Sequence, residues 1–215
     1  MSGSDDPQTP EAESRAALAV RLRALRKSKG LTIQDVAELS GLAISTVSKI
    51  ERNLMAPTYD RFSRLARGLG VDLAELFAEE GTRFEQGGVS LSRRGDFGYH
   101  ETDNYTYEML FQKVQGRTMV PMLGTLKPLE MMKFDRMVSH AGEEFLFVLE
   151  GEVIVQMENL EPVTLGTGES LYFDSRRGHL YASATDQPAR ILCVCTHDGS
   201  REASGGDALG EVSKA

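Results

Sequence analysis

Three side chains capable of metal-binding or acid–base chemistry occur at fixed spacings in the second half of the chain. His140 and Glu144 are four residues apart, six residues separate Glu144 from Gly151, and His179 follows farther along the chain. Two imidazoles and one carboxylate can hold a divalent ion such as iron, manganese or zinc, or they can bind a small polar ligand directly. His140, Glu144 and His179 therefore have suitable chemistry for effector or metal binding.

A second group of residues has the composition of a surface that contacts nucleic acid. In the run Ile44–Arg52, Val47 and Ile50 share one face of a predicted helix, and short polar side chains with two cations occupy the other. Such a face suits a DNA major groove, where short side chains approach base edges and cations contact phosphates. The candidate DNA-binding residues are Thr32, Gln34, Ile44, Ser45, Ser48, Lys49, Arg52 and Asn53.

These candidates have different expected roles. We expect Ser45 and Lys49 to contact base edges, with Ile44 and Ser48 close by, and Lys49 favours guanine on geometric grounds. We expect the other four to hold the DNA backbone.

Local signals predict the two short helices that present this surface. Thr32 is a good N-cap, apolar residues follow at helical spacing, and Gly41 supplies the left-handed position that ends the first helix. The second helix is predicted to begin near Ala43 or Ile44. Asn53 tolerates the left-handed conformation that follows it.

Further helices are predicted on both sides. One runs from Ser14 to Gly30, another is capped by Thr58 and stopped by Gly70, and Leu73–Phe77 adds a closing turn. Residues 15–67 contain eleven Lys or Arg against four Asp or Glu, although the whole chain has a formal charge of −8. A positive segment in an acidic chain is expected of a DNA-binding domain, because phosphate neutralisation supplies much of the affinity.

The second half of the chain is predicted to be rich in strands. Many short strands without an intervening helical pattern indicate an antiparallel sandwich or barrel. The predicted strands are Tyr105–Val114, Thr118–Leu126, Glu144–Leu149, Glu152–Met157, Ser170–Asp174, His179–Ala184 and Ala189–Thr196.

The domain boundaries follow from these patterns. We predict a disordered leader over residues 1–13, a helical domain over 14–78, a linker over 79–104, a β-rich domain over 105–197 and a flexible tail over 198–215. The chain contains no apolar run long enough to cross a bilayer and no signal-peptide core at its N-terminus, which predicts a cytoplasmic protein.

Cys193 and Cys195 are the only cysteines in the sequence. Two residues apart on a predicted strand, they point to the same side without favourable disulfide geometry. We interpret them as reduced core residues in preference to a redox or metal-binding pair.

The helical part resembles the phage-repressor helix-turn-helix of the Xre and Cro type over about Leu18–Phe77. The match includes the turn glycine, the Ser-Lys-Ile-Glu end of the second helix and the two closing helices, whereas Asn53 stands where glycine is frequent. The resemblance implies an operator in double-stranded DNA as partner. It also implies a homodimer that presents two recognition helices about one DNA turn apart.

The β-rich part resembles the cupin family, a double-stranded β-helix barrel, over about Met119–Thr196. His140, Glu144 and Gly151 match the first cupin motif, and His179 matches the last metal-binding histidine of the second. This match makes His140, Glu144 and His179 the candidate effector-binding or metal-binding residues. The first histidine of the family pattern is replaced by Val138. The resemblance therefore implies a reduced site for a divalent zinc, manganese, iron or nickel ion.

Three interpretations of this site remain open. The residues could hold a metal weakly, bind an effector directly in a metal-free pocket, or satisfy one another as relic polar groups. Arg176 and Arg177, near one mouth of the predicted barrel, suit an anionic effector or lie in a solvent-facing turn. His100 and His197 have no spacing that recruits them.

The combined resemblance predicts a DNA-binding transcriptional regulator whose barrel binds a small-molecule effector and modulates operator binding. One alternative is a metal-dependent cupin enzyme with a helix-turn-helix domain. Another is a nucleoid or toxin–antitoxin module whose barrel serves only for dimerisation. Neither the effector nor the operator is specified by the sequence.

Overall fold

The computed structural model describes residues 10–71, 76, 82–102, 104–132 and 137–196. Its first part is helical and its second part consists of strands, so the predicted two-domain fold is confirmed.

Four helices are described in full in the first domain. The structure assigns them as α1 (Pro10–Ser28), α2 (Ile33–Ser40), α3 (Ile44–Glu51) and α4 (Tyr59–Leu69). Helix α1 begins four residues before the predicted start at Ser14, inside the predicted leader. Proline is compatible with a first helical position because its missing N–H would have no intrahelical partner there.

The helix ends have the predicted chemistry at most positions. The Thr32 hydroxyl accepts a hydrogen bond from the Asp35 N–H at 3.1 Å, and the Asp35 carboxylate accepts one from the Thr32 N–H at 2.8 Å. Gly41 and Asn53 adopt left-handed conformations, with φ values of 64° and 57°. Thr58 occupies the N-cap position of α4, but its side chain makes no capping hydrogen bond there.

The core of the helical domain fixes the position of α3. Val47 and Ile50 are buried among apolar residues of the other helices. At the end of α3, the buried Glu51 receives two hydrogen bonds from Arg26 of α1, Nε to Oε1 at 2.7 Å and Nη2 to Oε2 at 2.9 Å. This two-point ion pair joins α1 to α3 and fixes their relative rotation.

Eleven strands follow among the described residues. They are β1 (Thr82–Arg83), β2 (Gly98–Glu101), β3 (Tyr105–Met109), β4 (Val114–Gln115), β5 (Met119–Leu126), β6 (Glu143–Glu150), β7 (Glu152–Met157), β8 (Val163–Gly166), β9 (Ser170–Asp174), β10 (His179–Ser183) and β11 (Ala189–Thr196).

Two antiparallel sheets form the barrel domain. One has the order β2-β3-β5-β11-β6-β9 and the other has the order β10-β7-β8, while β1 and β4 pair separately in parallel. Side chains alternate between buried and less buried along β5, β6 and β11, and the buried set forms the barrel core. The predicted double-sheet β architecture is therefore confirmed.

Three of the described strands were missed by the sequence pattern: β1 has two residues, both exposed, and β2 and β8 each bury only one side chain. Strand β2 lies in the predicted linker, buries His100 alone and pairs with β3. Strand β8 buries Leu165 alone. Neither strand shows the alternating apolar pattern by which strands are recognised.

Some predicted segments lie outside the described residues. These are the leader up to residue 9, most of the closing turn Leu73–Phe77, and the tail together with His197. Leu76 is described and is fully buried. No helix in the described ranges is both long enough and apolar enough to span a membrane.

The Arg26–Glu51 pair gives a stability prediction. We expect Glu51→Ala to lower the free energy of unfolding of the helical domain by about 3 kcal/mol, because it leaves a largely buried guanidinium without its partner. Chemical denaturation followed by circular dichroism measures the change. Glu38→Ala, which removes an exposed carboxylate from α2, is the matched control, and equal effects of the two substitutions would contradict the prediction.

Candidate functional site

The predicted DNA-contacting surface is exposed on α3. Ser45 and Lys49 are exposed, and Ile44 retains 53% of its accessible surface despite being apolar. The opposite face of α3 is buried through Val47 and Ile50. The helix therefore presents the predicted residues to solvent while its other face is held by the core.

The remaining predicted DNA contacts lie in several environments. Gln34 and Arg52 are exposed, and Ser48 is half-buried on α3. Thr32 is exposed, although its hydroxyl is engaged in the cap of α2. The Asn53 side chain accepts a hydrogen bond from Arg15 Nε at 2.8 Å. A cation of α1 therefore lies beside a residue that is predicted to contact the DNA backbone.

The candidate barrel site is centred on the carboxylate of Glu144, which is 1% exposed. Glu144 lies on β6, His140 precedes that strand, and His179 is the first residue of β10. Nε2 of His140 is 3.2 Å from Glu144 Oε2, and Nε2 of His179 is 3.6 Å from the same oxygen. The structure thus brings together all three residues selected from the cupin motifs.

Backbone carbonyls orient the two imidazoles. Nδ1 of His179 is 2.8 Å from the Arg177 carbonyl oxygen, and Nδ1 of His140 is 3.3 Å from that of Ala141. Because a carbonyl only accepts, each Nδ1 carries the proton, and Nε2 is left to face Glu144. A lone pair at Nε2 is unfavourable against a carboxylate, so the arrangement calls for a proton or a metal cation between them.

The electrostatics of Glu144 agree with this requirement. Burial alone would raise the pKa of Glu144, but the hydrogen bond with His140 and the charges of His179 and His140 lower it to about 2. Burial also lowers the pKa of His179, against the opposing effect of Glu144. The site therefore contains a buried carboxylate whose anionic form is favoured by its hydrogen bond with His140 and by its electrostatic interactions with both histidines, in spite of its burial.

Two thiols complete the cluster, and their burial confirms the core role expected from the sequence. Cys193 Sγ lies 3.2 Å from Glu144 Oε1, and Cys195 Sγ lies 3.4 Å from Oε2. Both thiols are buried and neither forms a disulfide, with 3.7 Å between the sulfurs. Hydrogen bonding to Cys195 and burial raise the pKa of Cys193 well above its ordinary value.

Strand register explains why the cysteines reach the site. Cys195 on β11 is the direct cross-strand partner of Glu144 on β6. The spacing of the cysteines predicts that they share one face, but only the pairing of β11 with β6 shows which face and which neighbour. His140, Glu144 and Cys195 could together hold a metal ion, since their donor atoms lie within 4.8 Å of one another.

The two arginines suggested as effector contacts lie on the surface turn after β9. Arg176 is exposed, and its Nε is 3.0 Å from Asp174 Oδ1. Arg177 is also exposed and donates to the Glu158 carbonyl oxygen at 2.9 Å. The contact of Arg177 with the site runs through its backbone carbonyl, which accepts from His179.

Tightly packed side chains surround the Glu144 carboxylate. His140, His179, Tyr181, Cys193 and Cys195 are each at most 7% exposed. This packing suits a ligand the size of a metal ion, and a larger organic molecule would have to displace side chains.

His100, which the sequence pattern did not recruit, connects the two domains. From β2 its Nε2 donates to the Pro57 carbonyl oxygen at 2.6 Å, and its ring packs edge-on against Phe62 of α4 with centroids 4.3 Å apart. Asp60 of α4 also acts electrostatically on His179. The helical domain therefore contacts the barrel near the candidate site, through a histidine that only the tertiary structure identifies.

Comparison with known proteins agrees with this geometry. Residues 22–76 match the Helix-turn-helix family HTH_3, and residues 125–195 match the Cupin domain family Cupin_2. The chain therefore combines a helix-turn-helix domain of the HTH_3 family with a C-terminal cupin domain.

Individual relatives share both parts. The chain is 26% identical to the HTH-type transcriptional regulator PuuR of Escherichia coli (strain K12), over 82% of this chain and 92% of PuuR. A crystal structure of an HTH_3 family transcriptional regulator from Vibrio cholerae is similar with a TM-score of 0.61 and 25% identity, covering 87% of this chain and 98% of that chain.

An enzyme is also similar. The (S)-2-hydroxypropylphosphonic acid epoxidase of Streptomyces wedmorensis is 29% identical over 64% of this chain and 73% of the enzyme.

The buried His100 gives a pH prediction. Burial lowers its pKa from 6.5 to about 4, against the opposing hydrogen bond to Pro57. Between these values the unfolded chain binds a proton that the folded protein does not. The free energy of unfolding should therefore decrease by up to about 3 kcal/mol as the pH falls from 6.5 towards 4.

The measurement is denaturant unfolding at several pH values for the wild type and His100→Gln. Glutamine can still donate to the Pro57 carbonyl but does not titrate, so the variant should lose less stability on acidification. His179 is retained in both proteins and serves as the internal control. Identical pH dependence would show that His100 does not determine this loss.

Proposed function

We propose that this protein is a DNA-binding transcriptional regulator whose recognition helix is α3 and whose cupin domain binds a small effector at Glu144. The observation that carries the proposal is the exposure of Ser45 and Lys49 on a helix whose other face is fixed in the core. The similarity to PuuR along most of both chains supports the same function.

The charge distribution supports DNA as the partner of the helical domain. Arg52 follows α3, and Arg15 of α1 lies beside Asn53. Cations therefore lie at the end of α3 where Arg52 and Asn53 are predicted to contact the DNA backbone. Cations placed around a groove-reading helix position it through phosphate contacts, while Ser45 and Lys49 remain available for base edges.

A ligand in the barrel has a direct route to the DNA-binding domain. His179, which faces Glu144, interacts electrostatically with Asp60 at the start of α4. His100 links the neighbouring sheet to Pro57 in the loop between α3 and α4. A ligand that favours one arrangement of these contacts changes operator affinity by the difference between its affinities for the two arrangements.

The effector site has the donors for a divalent cation. His140, His179 and Glu144 would hold the ion, and zinc, manganese, iron or nickel are the candidates that the cupin resemblance implies. When bound, such an ion supplies positive charge and a Lewis-acidic centre in the buried site. The backbone carbonyls that accept from each Nδ1 orient the two imidazoles that would hold the ion.

We further propose a homodimer in the cytoplasm. A helix-turn-helix regulator binds two half-sites with two-fold symmetry, so two copies of this chain would present their α3 helices to adjacent turns of one operator.

A second candidate function is a metal-dependent enzyme. The two-histidine, one-carboxylate set and the similarity to the epoxidase favour it. This candidate requires stoichiometric metal and turnover in the purified protein. Nanomolar operator binding by the metal-free protein would favour the regulator.

Lys49→Ala tests the proposed function. Loss of one base contact should weaken binding to the operator, sought in the promoter beside the reading frame, by about 1–3 kcal/mol, which is roughly 5- to 150-fold. Fluorescence anisotropy against operator and unrelated duplexes measures the loss and shows whether it is specific.

Lys113→Ala is the control for this test, because it removes an exposed lysine from the barrel domain. We expect it to leave operator affinity unchanged. Unchanged operator affinity for Lys49→Ala would mean that α3 does not read the groove through this residue.

A further inference from the structure

The buried thiol of Cys195 lies within the cluster defined by Glu144 and the two histidines. Cys195 Sγ is 3.4 Å from Glu144 Oε2, the same oxygen that both Nε2 atoms face. We propose that Cys195 supplies a thiolate ligand in place of the cupin histidine missing at Val138. The barrel would then hold a zinc-class cation on His140, Glu144 and Cys195, whose donor atoms lie within 4.8 Å of one another, with His179 beside them at 3.6 Å from Glu144 Oε2.

The position of Val138 explains why a substitute donor is needed. Val138 and His179 form two backbone hydrogen bonds. The Val138 N–H donates to the His179 carbonyl oxygen at 2.9 Å, and the His179 N–H donates to the Val138 carbonyl oxygen at 2.8 Å. The first family position therefore lies beside His179 but has no donor atom. Cys195 approaches from a different strand, β11, where it is the cross-strand partner of Glu144.

Charge balance favours a dication on this set. A carboxylate and a thiolate carry two negative charges, and two neutral imidazoles carry none, so a divalent ion makes the buried site neutral overall. The thiol proton leaves to solvent when the sulfur binds the metal. An electroneutral site avoids the large cost of an uncompensated charge in the protein interior.

The donor types determine the class of metal. Thiolate is a soft ligand and imidazole is intermediate, which favours zinc and cobalt over magnesium, calcium and manganese. A site with only two histidines and a carboxylate would discriminate less strongly against manganese. The cysteine therefore acts as a specificity-determining ligand.

Cys193 has a different role in this arrangement. Its Sγ is 3.2 Å from Glu144 Oε1 and 3.7 Å from Cys195 Sγ, so it donates to the oxygen opposite the one that the histidines face. We assign it as a positioning residue that holds the carboxylate. It provides a matched control, because the two cysteines have the same type, strand and burial.

This inference deepens the proposed function, because it rests on the same effector site and names the class of its ligand. As a regulator of this kind, the protein would change its operator affinity when zinc occupies the barrel.

The test uses the full-length protein, stripped of metal with a chelator and titrated with Co²⁺. We expect a sulfur-to-cobalt charge-transfer band in the near ultraviolet that saturates at one equivalent in the wild type. Cys193→Ser, whose hydroxyl can still donate to Glu144 Oε1, should bind cobalt more weakly but keep the band. The band should be absent in Cys195→Ser. Zinc should displace the cobalt, whereas manganese in equal excess should not.

A competition titration gives the affinities. Cys195→Ser should weaken zinc binding by about 100-fold or more, because even the loss of an outer-shell partner costs roughly 10- to 100-fold. Circular dichroism of each variant verifies folding. The double variant Cys195→Ser with Val138→His should recover zinc binding without the sulfur band, because it restores the histidine of the family pattern.

Two results would overturn the inference. One is stoichiometric cobalt binding without a sulfur band in the wild type, which would assign the metal to the histidines and Glu144 alone. The other is the absence of cobalt and zinc binding at micromolar concentration in folded protein.

Operator binding by the same preparations separates this inference from the proposed function. A metal-indifferent protein that still binds the operator overturns the zinc site and leaves the regulator in place. A protein that takes up zinc through Cys195 but binds no operator keeps the site and overturns the regulator.

Discussion

The barrel domain depends on a buried carboxylate that needs positive charge. Glu144 is 1% exposed, and an anion at such a depth is stable only when its neighbours offset the loss of hydration. The elements around it supply two imidazoles, one from His140, three residues before β6, and one from His179 at the start of β10. The site is therefore built from elements distant in sequence, and its geometry depends on the barrel being closed.

The helical domain also contains a buried carboxylate with a positively charged partner. Glu51 at the end of α3 is also buried, but its partner is the permanently charged Arg26, which grips both carboxylate oxygens. A guanidinium cannot release its proton, so this pair is fixed. Imidazole, by contrast, is a group that in general can bind either a proton or a metal ion. One carboxylate therefore holds a helix rigidly in place, and the other forms a site whose occupancy can change.

Local chemistry explains why the helical domain was predictable. The capping residues Thr32 and Gly41 and the left-handed Asn53 act within one or two turns, and the structure confirms each of them. The cupin motifs likewise located His140, Glu144 and His179. The cysteines and His100 were not predictable, because their partners lie on other strands or in the other domain. Pairing register decides those contacts, and one sequence contains no direct signal for it.

Cys195 and His100, whose roles the sequence pattern did not indicate, are the residues through which we connect the barrel site with DNA binding. Cys195 adds a soft donor to the buried site, so the identity of a bound ion affects Glu144 and, through it, His179. Asp60 of α4 acts electrostatically on His179, and His100 on β2, in the other sheet, hydrogen-bonds to Pro57 in the loop between α3 and α4. In the proposed regulator, an ion that alters the charge around Glu144 would act on the side of the barrel that faces the helical domain. Because His100 and Phe62 are buried and packed edge-on, such an effect would reach the helical domain as a shift between packed arrangements.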